Sequence, residues 1–271
     1  MVVPVLLGLA TAGSVHAQES APAAPAVPPL LADASPAHRG VVDDTWILVP
    51  KRLPGASLAA TKNYADEGDI AAGVSLRYHM DNADWIIADV FIYPAGEGDG
   101  AKMLQRAAED FRESVAYAER QQIYRNVWWG DESAYTTSLA GGKKLEGRFL
   151  PIVFDAQQDM LTSRAYLFYR RLYFVKIRLS TTVEAVDSLA DRADGFISNL
   201  MSGLEINSVG SCGQRNDPAT VSPGGGTSAV LKRQLANGCT SLNYQPPGET
   251  ASRAVLHLTF QPQDWGASHA E

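Results

Sequence analysis

Residues 85–93 read Trp-Ile-Ile-Ala-Asp-Val-Phe-Ile-Tyr, and this segment constrains the fold more than any other. In a strand, successive side chains point to opposite faces. The even positions Ile86, Ala88, Val90 and Ile92 are wholly apolar. The odd positions include Trp85, Asp89, Phe91 and Tyr93, one carboxylate and three aromatic rings, beside Ile87. Such two-sided apolarity marks a central strand, covered on both faces of its sheet. The rest of the chain must supply those covering layers.

Two amphipathic helices are the candidates. Pro94 closes the strand, Asp99 is placed as an N-cap, and a helix is expected from about Ala101 to Tyr124. Its Leu104, Ala108, Phe111, Val115 and Ala118 recur at spacings of four and three, which lines one face. A second helix is expected over Thr182–Met201, where Val186, Leu189, Ala193, Phe196, Leu200 and Leu204 repeat in the same way. Thr181 and Glu184 have the spacing of a capping box, and Gly203 is placed to end the helix in the left-handed conformation.

The remaining patterns are β. Trp46–Lys51 and Ala71–Met80 read as strands, the second with Val74, Leu76 and Tyr78 facing one way and Ser75, Arg77 and His79 the other. Ser133–Leu139, Leu145–Phe154, Leu161–Tyr169 and Leu172–Leu179 follow, with Arg170-Arg171 at a tight turn. The fold class expected is α+β, an antiparallel sheet sandwiched by two main helices. Residues 41–204 form this domain. Residues 205–271 read as a loop-rich extension, with a short helix over Ser228–Ala236 and a strand from Ala254 to Phe260.

The ends of the chain point to export. Residues 2–12 are an uncharged apolar run of signal-peptide length, too short to span a membrane, and Val15-His16-Ala17 fits a cleavage site. Residues 1–17 are therefore expected to be a signal peptide and Gln18 the new N-terminus, although no Lys or Arg precedes the apolar run. Residues 18–40 are Ala- and Pro-rich and read as a linker. Cys212 and Cys239 are the only two cysteines. An exported setting permits a disulfide between them, worth on the order of 3 kcal/mol in chain entropy. A periplasmic or secreted location follows.

The order of elements over residues 41–204 resembles the PsbP-like fold. The resemblance rests on Val74-Ser75-Leu76-Arg77-Tyr78, on Asp89-Val90-Phe91-Ile92-Tyr93-Pro94, and on Tyr173-Phe174-Val175-Lys176-Ile177-Arg178 leading into the Phe196 helix. It implies an accessory or binding protein without catalytic residues. Several bacterial members of that family are exported. No diagnostic motif carries the likeness, and fold alone does not transmit function.

Chemistry is sparse. Neither a G-x-S-x-G elbow, a dinucleotide or P-loop signature, nor an HExxH helix occurs. Of the five histidines, only His79 and His257 lie within the folded region, far apart in sequence. The alternating run Gly96-Glu97-Gly98-Asp99-Gly100 carries two carboxylates that repel phosphate, and it stops too early for an EF-hand loop. With 30 Asp and Glu against 23 Lys and Arg, the chain lacks the overall basicity of a nucleic-acid binder. No cofactor or metal is expected, and no transmembrane segment in the mature chain.

Two features remain as candidate binding sites. Between residues 140 and 180 basic side chains outnumber acidic ones, and a sheet face carrying Arg164, Arg171, Lys176 and Arg178 suits an anionic group or an acidic partner. Trp128-Trp129 places two large aromatics side by side, as a ligand platform or partner anchor. The function expected is an exported, non-catalytic accessory or binding protein of the cell envelope. It would act on an unknown envelope protein or small ligand. The alternative is an exported small-ligand binder or hydrolase whose pocket gathers polar groups around His79, His257 or Asp89.

Overall fold

A computed structural model describes residues 44–209, apart from 84, 97, 157 and 158, and residues 248–259. The expected signal peptide, linker, Cys212–Cys239 disulfide and 228–236 helix lie outside the described residues. Twelve strands are described: β1 (Asp44–Pro50), β2 (Arg52–Leu53), β3 (Ala56–Asn63), β4 (Val74–Met80), β5 (Ile87–Pro94), β6 (Arg125–Trp129), β7 (Ser133–Ser138), β8 (Lys144–Ala156), β9 (Asp159–Arg170), β10 (Tyr173–Thr182), β11 (Glu205–Val209) and β12 (Arg253–Thr259). The helices are α1 (Gly100–Arg120) and α2 (Val186–Gly203).

All described pairings are antiparallel. The larger sheet runs β2-β3-β4-β5-β10-β9-β8-β6, and β7 also pairs with β8. Its longest strand, β8, holds β7 along residues 144–149 and β6 along 152–155. The smaller sheet runs β11-β1-β12. The fold is therefore mixed, α+β, with antiparallel sheets and two main helices.

The tight turn expected at Arg170-Arg171 is made one residue later, by Arg171 and Leu172, with Arg170 the last residue of β9. Arg171 and Leu172 adopt φ of 53° and 71°, the two positive values of a type I′ hairpin turn, whose twist matches that of the flanking strands. Helix α1 starts where Asp99 predicts, its Oδ1 accepting from the Ala101 and Lys102 amides at 3.2 Å each. It stops at Arg120, four residues early, and Gln122 turns the chain at φ 57°.

The capping box at Thr181 does not form. Thr181 and Thr182 remain in the β10 ladder opposite Thr162 and Leu161, and a 3-10 turn over Val183–Ala185 leads into α2 with no side-chain cap. Gly203 is not left-handed. A Cβ there would stand 3.1 Å from Pro50 Cγ, so its use is close approach of α2 to the end of β1.

On one face of the larger sheet, α1 buries Met103, Ala107, Ala108, Phe111 and Val115 against Leu150, Ile152, Phe154, Ala165, Leu167 and Phe174. The opposite face carries Val74, Leu76, Tyr78, Ile86, Val90, Tyr173, Val175 and Ile177. These share one core with α2 (Leu189, Phe196, Ile197, Leu200) and with the smaller sheet (Ile47, Ile206, Leu256, Leu258). Tyr173 joins the two sheets, its Oη donating to Thr45 Oγ1 at 2.5 Å, with Thr45 Oγ1 in turn 3.0 Å from Ser208 Oγ.

Two expectations are corrected here. Glu205–Val209 and Arg253–Thr259 are not a loose appendage, because they flank β1 on both sides and bury Ile206, Ala254, Leu256 and Leu258. The central strand is fully covered on its even face only. Ile86, Ala88, Val90 and Ile92 are each 0% exposed, whereas Ile87 on the odd face is 36% exposed. Helix α1 lies over β8 and β9 and reaches the end of β5 at Tyr93, whereas Arg77, His79 and Ile87 on the same face are exposed.

Candidate functional site

Cross-strand partners share a face, so the register resolves the α1 side of the sheet into rows. One row runs Lys62, Ser75, Phe91, Lys176 and Leu167. The next runs Ala60, Arg77, Asp89, Arg178 and Ala165. A third runs Ser57, His79, Ile87, Ser180 and Ser163. Lys176 and Arg178 stand at the flank of α1, where the covered part of the sheet gives way to the open one.

Lys176 Nζ is enclosed by rings, 4.5 Å from the centroid of Phe91, 5.5 Å from Phe111 and 5.8 Å from Tyr93. Burial, then repulsion from Arg178, pushes its pKa down to about 8. Arg178 donates from Nε to Ser163 Oγ at 2.8 Å and from Nη1 to Tyr124 Oη at 2.7 Å. Its guanidinium lies 5.2 Å and 5.0 Å from the Tyr124 and Phe154 rings. Ser163 Oγ is 2.9 Å from Ser180 Oγ.

The carboxylate opposite Arg178 in the register is Asp89, but Arg77 holds it bidentately, Nε to Oδ1 at 2.7 Å and Nη2 to Oδ2 at 3.0 Å. No carboxylate among the described residues lies within ion-pair distance of Lys176 or Arg178. The carboxylate that acts on Lys176 is Asp110 of α1, from beyond ion-pair distance, and it offsets only part of the cost of burial and of the Arg178 charge. Two adjacent, half-buried cations so weakly compensated are relieved by an anion.

The other two members of the expected basic face are elsewhere. Arg164 projects from the opposite face, opposite Leu179 and Pro151, donating to Tyr166 Oη at 3.0 Å and lying 4.7 Å over the Phe149 ring. The period of two separates it from Lys176 and Arg178 as soon as the hairpin register is set. Arg171, at the hairpin turn, ties it to β11 through Ile206 O at 2.7 Å. Its role is architectural.

Trp128 and Trp129 point to opposite faces of β6. Trp129 meets Phe111 edge-on at 5.5 Å, with the Arg112 guanidinium 5.6 Å from its ring, and so packs β6 onto α1. Trp128 is 60% exposed. Nearby, Glu132 bridges Arg112 and Arg148. Partial burial alone would raise its pKa, yet the hydrogen bonds from Arg148 and Arg112 hold it below the usual carboxylate range.

His79 and His257 lie on separate sheets. His79 is exposed on β4. His257 Nε2 is 2.6 Å from Asp44 Oδ1, and its ring stacks on Trp46 at 3.9 Å. A cleft of about 680 Å³ opens beside it, between β3 and β12. Among the described residues, no three His, Cys, Asp or Glu side chains gather to hold a metal, and no helix is long and apolar enough to cross a membrane.

The sequence reading missed Ser163, Ser180 and the pairing of Arg77 with Asp89. The signal available for Arg77 and Asp89 was their place on the polar sides of two neighbouring strands; their exact opposition depends on a register that only pairing fixes.

No family model matches the chain, and no curated protein matches it. Among solved structures, it is similar to cyanobacterial PsbP (CyanoP) from Synechocystis sp. PCC 6803, at 12% identity and a TM-score of 0.38, over 59% of this chain and 92% of that one.

Proposed function

We propose that the protein is an exported, non-catalytic binding protein that takes up an anionic group on the open sheet face beside α1. Lys176 and Arg178 make the primary contact and Tyr124, Ser163 and Ser180 supply hydroxyls around it. The observation that carries this reading is the pair of neighbouring cations whose facing carboxylate, Asp89, is engaged by Arg77. The aromatic rings under both cations fix their positions without neutralising them. In this reading the two helices and the sheet form a layered scaffold, the N-terminal segment directs the chain across a membrane, and residues 18–40 tether the domain to the envelope.

Titration calorimetry with inorganic phosphate and with acetate tests the site. Binding to the intact chain, lost in Arg178→Gln at an unchanged melting temperature, supports it. Equal binding by both proteins, or none by either, overturns it. A reporter fusion of residues 1–40 tests export separately.

A further inference from the structure

We infer that the cleft between β3 and β12 is a slot for an extended peptide, recognised through its main chain. The two strands leave a common point. Lys51 N donates to Ser252 O at 2.8 Å, and Leu58 N donates to Lys51 O at 2.9 Å. Five residues further along each strand they are joined again, Asn63 Nδ2 donating to His257 O at 3.0 Å. Strands β3 and β12 therefore run side by side in the same direction for about 16 Å. Lys51 is bonded to both strands and so lies between them at that end, where they stand two strand spacings, about 9.6 Å, apart. That width suits one further strand.

The alternation of ladder bonds determines which backbone groups face the gap. Lys51 bonds to Ser252, so Leu256 and Ala254 are the residues that bond to β1, and Val255 and His257 turn their N–H and C=O outward. On β3 a bulge at Ala59 shifts the phase. Tyr64 N donates to Gly73 O at 3.0 Å, so Lys62 and Ala60 bond to β4 and Thr61 faces the gap. Thr61 and Val255 thus turn N–H and C=O towards each other across the cleft, with no partner among the described residues.

The floor and mouth fit the same occupant. Leu58, Ala254 and Leu256, which touch the main core, form an apolar floor. Lys51 and Glu249, ion-paired at 2.5 Å, and His257 stand at the mouth. An extended segment running antiparallel to both neighbours pairs alternate residues with Val255 and Thr61. It places an apolar side chain on the floor and polar ones outward.

The test uses the full chain and the peptide Ac-Thr-Val-Thr-Val-Thr-NH2, with a version N-methylated at alternate amides. The expected result is binding of the first peptide only, slowed hydrogen exchange at the Thr61 and Val255 amides, and roughly tenfold weaker binding by Thr61→Pro from the lost bond. Proline is tolerated there because this N–H makes no ladder bond, which an unchanged melting temperature verifies. Equal binding of both peptides overturns the inference, as does a Thr61→Pro variant with full affinity. Absence of binding, with both amides already protected in the free protein, overturns it by showing that the slot is filled. Arg178→Gln is expected to bind this peptide normally, which separates the slot from the anion site.

Discussion

Arg77 grips both oxygens of Asp89 across β4 and β5, and in doing so removes the carboxylate that stands opposite Arg178. The pair is partly exposed and worth at most about 1 kcal/mol to stability. Its larger consequence is electrostatic. Arg77→Gln frees Asp89 to turn towards Arg178 and is expected to weaken phosphate binding, while Asp89→Asn releases a third cation into the site and strengthens it. Calorimetric titration of both variants checks the opposite signs; a change of the same sign in both contradicts the assignment of Asp89 as a withheld counter-ion.

Lys176 sets a pH dependence. Its pKa in the folded chain is pushed down to about 8, first by burial and then by Arg178, from an ordinary 10.5. Between these values the unfolded chain binds more protons than the folded one, so this group's contribution to stability rises with pH. Below about pH 8 the lysine is charged in both states and its full cost is present. Lys176→Met is therefore expected to stabilise the protein at neutral pH by about 1–3 kcal/mol, with the gain shrinking towards pH 10. Denaturant melts of both proteins across that range measure it. Phosphate affinity in the unmutated chain should fall as pH passes 8, because the ammonium that attracts it is lost.

The Tyr173 hydroxyl is the polar link between the sheets. It is fully buried, and burial pushes its pKa far up, so it remains a donor to Thr45 at all ordinary pH values. Tyr173→Phe leaves the ring in place and removes that donor. A cost of about 1–2 kcal/mol is expected, appearing as a lower denaturation midpoint with an unchanged slope. Loss of the slope as well would mean that the two sheets no longer unfold together.

Gly73 stands where the chain enters β4, at φ 67°, and a Cβ there would lie 2.1 Å from Ile92 O. Both the left-handed backbone and the close approach to β5 exclude a side chain. Gly73→Ala is expected to destabilise by about 3 kcal/mol or more, whereas Gly55→Ala, with the same sign of φ but open space around it, should cost less. Thermal melts of the pair separate strain from collision.

Much of the fold was legible where periodicity is strong. The Leu189, Ala193, Phe196, Leu200 stripe and the Val74, Leu76, Tyr78 alternation read directly as buried faces, since local pattern determines which side of an element is apolar. The candidate site was half legible. Lys176 and Arg178 share a face by the period of two, but Arg164 belongs to another strand, and its side follows from hairpin register rather than from local sequence. Arg171 read as surface charge because nothing local announces that β11 will pass beside the hairpin. Trp128 and Trp129 fall on opposite faces of β6, as alternation along an extended segment requires, so they do not act as one platform. The slot beside Thr61 had no local signal, since it arises between strands about 200 residues apart in the chain that meet at Lys51 and at the Asn63–His257 hydrogen bond.

That long-range pairing makes the last described strand indispensable. Leu256 and Leu258 enter the core shared by α2 and both sheets, and β12 pairs with β1 over its whole length from Asp44 to Pro50. Leu258, 0% exposed, should cost about 3 kcal/mol on truncation to alanine. Removing residues 248–271 strips an entire edge from β1 and uncovers Ile47 and Val49, so this shortened chain is expected to lose its cooperative thermal transition. Leu256→Ala, which lies on the floor of the β3–β12 cleft as well, should retain the transition at a lower midpoint. Retention of the full midpoint by the chain lacking residues 248–271 would contradict the role of β12 in the core and return this segment to the status of an appendage.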